Sequence, residues 1–156
     1  MYAVLGKRGL QITSFVLLLF LIFIIEGVII TRMQSMDMRD PQQRIKYLND
    51  LGLEVEADSV IESEIRIPNT FSDVYLKYNE MQQEAGFNLE EYKGLVVTKY
   101  TYSVSQHNLT NVYVNILCYK GEVIGGDVSS SQLCGFMIPL KKENIGEIKN
   151  GFDKAG

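Results

Sequence analysis

Residues Leu53–Pro68 read LEVEADSVIESEIRIP. Leu53, Val55 and Ala57 alternate with Glu54, Glu56 and Asp58, and after a break Ile61, Ile65 and Ile67 alternate with Glu62, Glu64 and Arg66. Side chains alternate between the two faces of a strand, so a period of two predicts strands with one buried face and one wet, acidic face. Two strands joined near Asp58-Ser59 fit the pattern, and such patterning is typical of an antiparallel sheet.

The segments on either side repeat at helical spacing instead. Upstream, Asp40-Pro41 offers a capping carboxylate followed by proline at the first helical position. Ile45, Tyr47, Leu48 and Leu51 form an apolar stripe, and Gly52 ends it. Downstream, Asn69, Thr70 and Ser72 are candidate caps for a second helix carrying Phe71, Val74, Tyr75, Tyr78 and Met81 at spacings of three and four, which stops at Gly86.

A turn-like NLEEYKG follows, and then β-rich sequence from Leu95 to Val104. Gln106 to Thr110 is a polar loop. Asn111–Tyr119 reads as a strand, Lys120-Gly121 as a turn and Glu122–Val128 as the hairpin partner. Phe136–Leu140 is a marginal strand, because Pro139 argues against a central position. The expected architecture is α+β, in the order αββαβββ, with both helices on one face of a largely antiparallel sheet.

Ahead of this body lies LQITSFVLLLFLIFIIEGVII, Leu10–Ile30, in which Glu26 is the single charge. Its 21 residues would rise about 31 Å as a helix, the thickness of a bilayer's hydrocarbon core. Lys7 and Arg8 precede the run as in a secretory signal, but the following EGVIITRMQS supplies no good small-x-small cleavage site and no lipobox cysteine. An uncleaved signal anchor is therefore expected. Glu26 falls near the end of the run, where it can reach the interface or stay protonated.

The expected organisation is a cytoplasmic leader over 1–9, a transmembrane helix over 10–30, a juxtamembrane linker over 31–40, an extracytoplasmic domain over 41–140 and a polar, loose tail over 141–156. Lys7, Arg8 and a short leader favour the amino terminus in the cytoplasm over the acid-diluted Arg32, Arg39 and Arg44. Residues 31–156 hold 13 of the 15 Lys and Arg and 18 of the 19 Asp and Glu, a net charge of −5. That balance argues against a nucleic-acid partner, which needs clustered cations.

YKGEVIGGDVSSSQLCGFM, Tyr119–Met137, is the stretch richest in candidate chemistry. Asp127, Ser129 and Ser131 match D-x-S-x-S, the oxygen set of integrin-like Mg²⁺ sites, but the downstream Thr and the preceding doubly wound pattern are missing. Gly125-Gly126 lacks the Gly-Lys-Ser/Thr ending of a phosphate loop and is not followed by a helix pattern. Paired glycines at the end of a strand instead indicate a bulge, a bend or positive φ, with Asp127 and the serines satisfying turn amides.

Cys118 and Cys134 are a candidate disulfide. Alternatively Cys118, on the face of Val112, Val114 and Ile116, is a free buried thiol. Two cysteines and the single His107 do not make a zinc site, and neither a cofactor nor a catalytic set is expected. Asn108-Leu109-Thr110 is a formal glycosylation sequon. The acidic face of Glu54, Glu56, Asp58, Glu62 and Glu64 lacks the ligand loop of an EF-hand. Some of the many tyrosines, among them Tyr75, Tyr78, Tyr92, Tyr100, Tyr102, Tyr113 and Tyr119, are candidates to line a groove.

RIKYLNDLGLEV, IPNTFSDVYLKYNEMQQEAGFNLEEYKG, TKYTYSV, VIGGDVSS and GFM together cover most of the body. On these segments, from about Gln43 to Leu140, the chain resembles a domain-of-unknown-function family of Firmicutes proteins, many of them clostridial, usually carried behind an N-terminal anchor or lipoprotein signal. The resemblance implies a bacterial, extracytoplasmic location. It places Tyr92, Lys93, Gly94, Gly125, Gly126 and Asp127 in the family pattern, as turn or binding residues, and supplies no activity.

The function expected from these readings is a membrane-anchored envelope protein with a non-catalytic domain that binds an envelope protein partner. Two alternatives stand beside it: an envelope hydrolase using Asp127 near the GGD turn, and a membrane-tethered cytoplasmic regulator.

Overall fold

The computed structural model describes residues 16–21, 36–105, 111–132 and 135–146. The leader, most of Leu10–Ile30, the first half of the linker, the 106–110 loop with His107 and Asn108, Cys134 and the tail beyond 146 lie outside the described residues. The chain divides into two units, Met1–Ser35 and Met36–Gly156. In the first, residues 16–21 are helical, with exposed apolar side chains. Among the described residues no helix is long and apolar enough to cross a membrane.

In the second unit, helix α1 spans Pro41–Leu51. The Asp40 carboxylate accepts from the Gln42 N–H at 2.9 Å, Pro41 occupies the first turn, and Gly52 closes the helix in the left-handed region at φ 94°. Strand β1, Ile61–Arg66, precedes helix α2, Asp73–Glu84. Of the three candidate caps Ser72 is used, its hydroxyl accepting from the Tyr75 N–H at 3.3 Å. Then come β2 (Val96–Ser103), β3 (Val112–Tyr119), β4 (Glu122–Ser130) and β5 (Met137–Pro139). The domain is α+β, with the five strands in spatial order β1-β2-β3-β4-β5 and every neighbouring pair antiparallel.

Three expectations are corrected. Leu53–Ala57 is not a strand: Val55 makes one bridge to Val104, and Ala57–Ser59 then closes a 3-10 turn in which Ser59 bonds to the Glu56 carbonyl through both N–H and Oγ. The two period-two runs therefore lie end to end along β2 instead of forming a hairpin, and the element order is αβαββββ. The helices also do not share a face. Leu48 of α1 packs with Tyr100, Tyr102, Val114 and Ile116, whereas Tyr75 and Tyr78 of α2 pack on the cluster of Val97, Leu117 and Ile124. Consecutive strand positions such as Ile116 and Leu117 point to opposite sides, so both faces of the sheet are covered.

The third correction concerns the domain edges. Met38 and Ile145, assigned to linker and tail, are each 2% exposed in the α1-side core. The Met38 N–H donates to the Gly121 carbonyl at 2.8 Å. Arg44, only 4% exposed, donates to the Tyr102 hydroxyl at 2.7 Å and to the Met38 carbonyl at 2.6 Å, with its guanidinium 3.9 Å from the centre of the Tyr100 ring. That side chain sews residues 36–40 to the sheet.

The β3–β4 hairpin turns at Lys120-Gly121 as expected, with φ of 53° and 87°, the two positive values of a type I′ turn. Leu117 pairs with Gly125 but Cys118 with Val123, which leaves Ile124 as a bulge in β4. Cys118 lies buried in the α1-side core, and burial pushes its thiol up to about 12.

Candidate functional site

The side of α2 that meets the sheet carries two buried polar residues beside Tyr75 and Tyr78. Asn79 and Gln82 are 4% and 0% exposed. The Asn79 Oδ1 accepts from the Leu89 N–H at 2.7 Å and so fixes the 3-10 helix Leu89–Tyr92. The Gln82 amide forms two hydrogen bonds with one backbone unit of β4: the Gly126 N–H donates to its Oε1 at 2.8 Å and its Nε2 donates to the Gly126 carbonyl at 3.0 Å. Strand β5 begins its pairing one residue further on, at Asp127–Pro139. Gln82 thus serves as a neighbouring strand where β5 stops.

This arrangement explains the two glycines. A Cβ on Gly125 would lie 2.9 Å from the Gln82 Oε1, and one on Gly126 would lie 2.5 Å from the Asn115 carbonyl oxygen and 2.8 Å from a Leu140 methyl. Neither residue has positive φ. Close approach, not turn geometry, requires glycine here. The bulge falls on Ile124, one residue before the glycines expected to form it, and the GGD segment is paired inside β4 and is not a turn.

Asp127 likewise satisfies no turn amide. It is 3% exposed, and both carboxylate oxygens are occupied: the Tyr78 hydroxyl donates to Oδ2 at 2.9 Å and the Asn115 Nδ2 donates to Oδ1 at 2.9 Å. Thr101 extends the chain, donating its hydroxyl proton to the Asn115 Oδ1 at 2.7 Å. Burial and the neighbouring Asp127 charge raise the Tyr78 phenol well above its ordinary range, so it remains a donor. A hydrogen-bonded line therefore runs from β2 through β3 and β4 to α2.

Tyr92, Lys93 and Gly94 buttress the same side of the sheet. The Tyr92 and Tyr119 rings meet edge to face with centroids 5.8 Å apart. Lys93 pairs with Glu90 at 2.6 Å and lies 4.4 Å from the centre of the Phe71 ring. Gly94 has φ 79°, donates its N–H to the Ile67 carbonyl at 2.9 Å, and leaves no room for a Cβ beside the Asn69 side chain. Tyr92 packs on the cluster that contains Leu89 and Ile124. The expected site residues therefore fall into the packing around α2, while Cys118 faces the other core.

Beside this seam a groove of about 430 Å³ is lined by Val74, Tyr75, Lys77, Tyr78, Met81 and Met137. Val74 and Met137 are 78% and 54% exposed. The sequence stripe placed Val74 and Met81 on the buried side of the helix. Phe71, Tyr75 and Tyr78 of that stripe do pack inward, but Asn79 and Gln82 share the side with them, and Val74 and Met81 lie at the rim. Among the described residues no group of three or more His, Cys, Asp and Glu side chains is placed to hold a metal ion.

A family model described as a domain of unknown function (DUF4830) matches residues 47–128, more than half of the chain. The chain belongs to the DUF4830 family. No curated protein and no solved structure matches it. The DUF4830 span opens within α1 and closes in β4 at Val128, so it takes in the Gln82–Gly126 clasp and the Tyr78–Asp127–Asn115 chain. Met137, on the far wall of the groove, lies beyond it.

Proposed function

We propose that this DUF4830 protein is a single-pass bacterial membrane protein of the Firmicutes type, anchored by Leu10–Ile30 with its amino terminus in the cytoplasm, and that its outward domain works by binding an envelope protein. The observation that carries the binding reading is the groove along α2. Its rim exposes Val74 and Met137, apolar surface that a partner would remove from water. The hydrolase alternative is less favoured, because Asp127 is buried with both oxygens already accepting hydrogen bonds.

Photo-crosslinking in the native membrane tests this reading. A benzophenone side chain placed at Val74 or at Met137 is expected to give a discrete higher-mass adduct. The same group at Gln83, exposed on the opposite flank of α2, is expected to give none. Equal labelling at all three positions, or none at Val74 and Met137, would contradict the groove as the binding surface.

A further inference from the structure

A second surface carries its own signature, the open edge of β1. Among the described residues this strand pairs only with β2, and its other side has no neighbour in the sheet. The phase of its hydrogen bonding follows from Ile67, whose N–H donates to the Leu95 carbonyl in the same register as Ile61↔Thr101. Bonded and non-bonded pairs alternate in an antiparallel ladder, so Ile61, Ser63 and Ile65 bond inward to β2. The N–H and C=O groups of Glu62, Glu64 and Arg66 therefore point outward from the sheet edge.

Protein edges are normally blunted by proline, a bulge, a covering element or charged side chains. β1 has no proline, lysine or bulge over its six residues, and what guards it is charge, with Arg66 at its end. It carries Glu62 and Glu64 instead, both exposed and neither in an ion pair among the described residues. Those carboxylates decide what can add to the edge. Side chains that pair directly must share a face, so of the two longest antiparallel pairings of β1 with a second copy one sets Glu62 against Glu64 twice, and the other sets Glu64 against Glu64 between two Glu62–Arg66 pairs; neither offers a cation to both carboxylates. A strand with lysine or arginine opposite Glu62 and Glu64 meets opposite charge at both sites.

We propose that the β1 edge is a strand-addition site for an extended, cationic segment of a partner protein. The inference rests on the reading of this domain as a binding module but uses a different surface. Its failure would leave adducts at Val74 and Met137 untouched, so the two ideas fail separately. Backbone pairing to Glu62, Glu64 and Arg66 supplies the attachment, as in other β-augmentation complexes, and the two carboxylates select charge. Each opposite-charge cross-strand pair adds from about 1.4-fold to about fivefold in affinity.

The test uses the full chain in detergent and a fluorescent peptide of alternating Val and Lys, about eight residues long, a normal strand length. Two controls are the Val/Glu counterpart and a Lys peptide of equal charge broken by proline. The Val/Lys peptide is expected to bind and to slow hydrogen exchange at the amides of Glu62, Glu64 and Arg66, and both controls are expected to bind at least about tenfold more weakly. Glu64→Pro removes an outward N–H that β2 does not use, so the melting temperature stays near that of the parent while peptide affinity falls about tenfold. Glu62→Lys with Glu64→Lys shifts the preference to the Val/Glu peptide. The proposal is overturned if the proline-broken peptide binds equally well, if Glu64→Pro leaves affinity unchanged, if no peptide binds, or if the chain is a dimer that Glu64→Pro separates.

Discussion

Gln82→Leu is expected to destabilise the domain by about 2–4 kcal/mol, although it preserves side-chain size and adds apolar character at a position with no exposure. Leucine cannot accept from the Gly126 N–H or donate to its carbonyl. The carbonyl keeps a long bond from the Leu140 N–H at 3.3 Å, whereas the amide is left buried without a partner. Water cannot reach it easily, since Gly125, Gly126 and Asp127 are all buried. Urea unfolding should show a lower midpoint at constant slope, and the melting temperature should fall by about 8–15 °C. A loss below about 0.5 kcal/mol would mean that Gln82 does not clasp β4.

Asp127→Ala is expected to cost about 2–3 kcal/mol by leaving the Tyr78 hydroxyl and the Asn115 amide without their acceptor. Tyr78→Phe alone removes one donor and costs about 1 kcal/mol. Because the two side chains touch, the double variant should be more stable than the sum of the single losses implies, by about 0.5–1.5 kcal/mol. Additive losses in the cycle would show that Tyr78 and Asp127 act independently and that the hydrogen bond does not tie α2 to β4. Asp127→Asn should retain part of the stability, since an amide oxygen still accepts from one of the two donors.

Much of the backbone plan was legible in the sequence because it is encoded locally. Asp40-Pro41 and Gly52 bracket α1, Lys120-Gly121 supplies the positive φ of the hairpin, and Pro139 marks a short outer strand. Leu53–Ala57 misled because alternation records which side chains are buried, not whether the backbone keeps a partner. A 3-10 turn at Ala57–Ser59 halts the pairing after one bridge. The facing of the helices was not legible either, since β2 and β3 bury residues on both sides and periodicity alone does not say which side each helix covers.

The seam was harder still to read. Gln82 meets Gly126 across 44 positions, and Tyr78 meets Asp127 across 49. On the inward face of α2, Asn79 and Gln82 join Tyr75 and Tyr78, because the Leu89 amide and the Gly126 backbone of β4 need buried partners. A stripe drawn through apolar residues alone turns Val74 inward, where the structure has it at the rim of the groove. The crowding at Gly125 and Gly126 was visible only as two glycines in a strand, a signal of close approach that does not name what approaches.

The proposed binding role depends most on where the domain sits. Lys46 on α1 and Lys120 in the β3–β4 turn are exposed and do not line the groove, so a membrane-impermeant amine reagent applied to intact spheroplasts reports the side they face. The expected result is that both lysines label before lysis and that the chain sediments with the membrane fraction. Labelling only after the cells are broken would place the domain in the cytoplasm, and recovery of the chain in the culture fluid would remove the anchor. Either result would contradict an outward-facing, membrane-held binding domain.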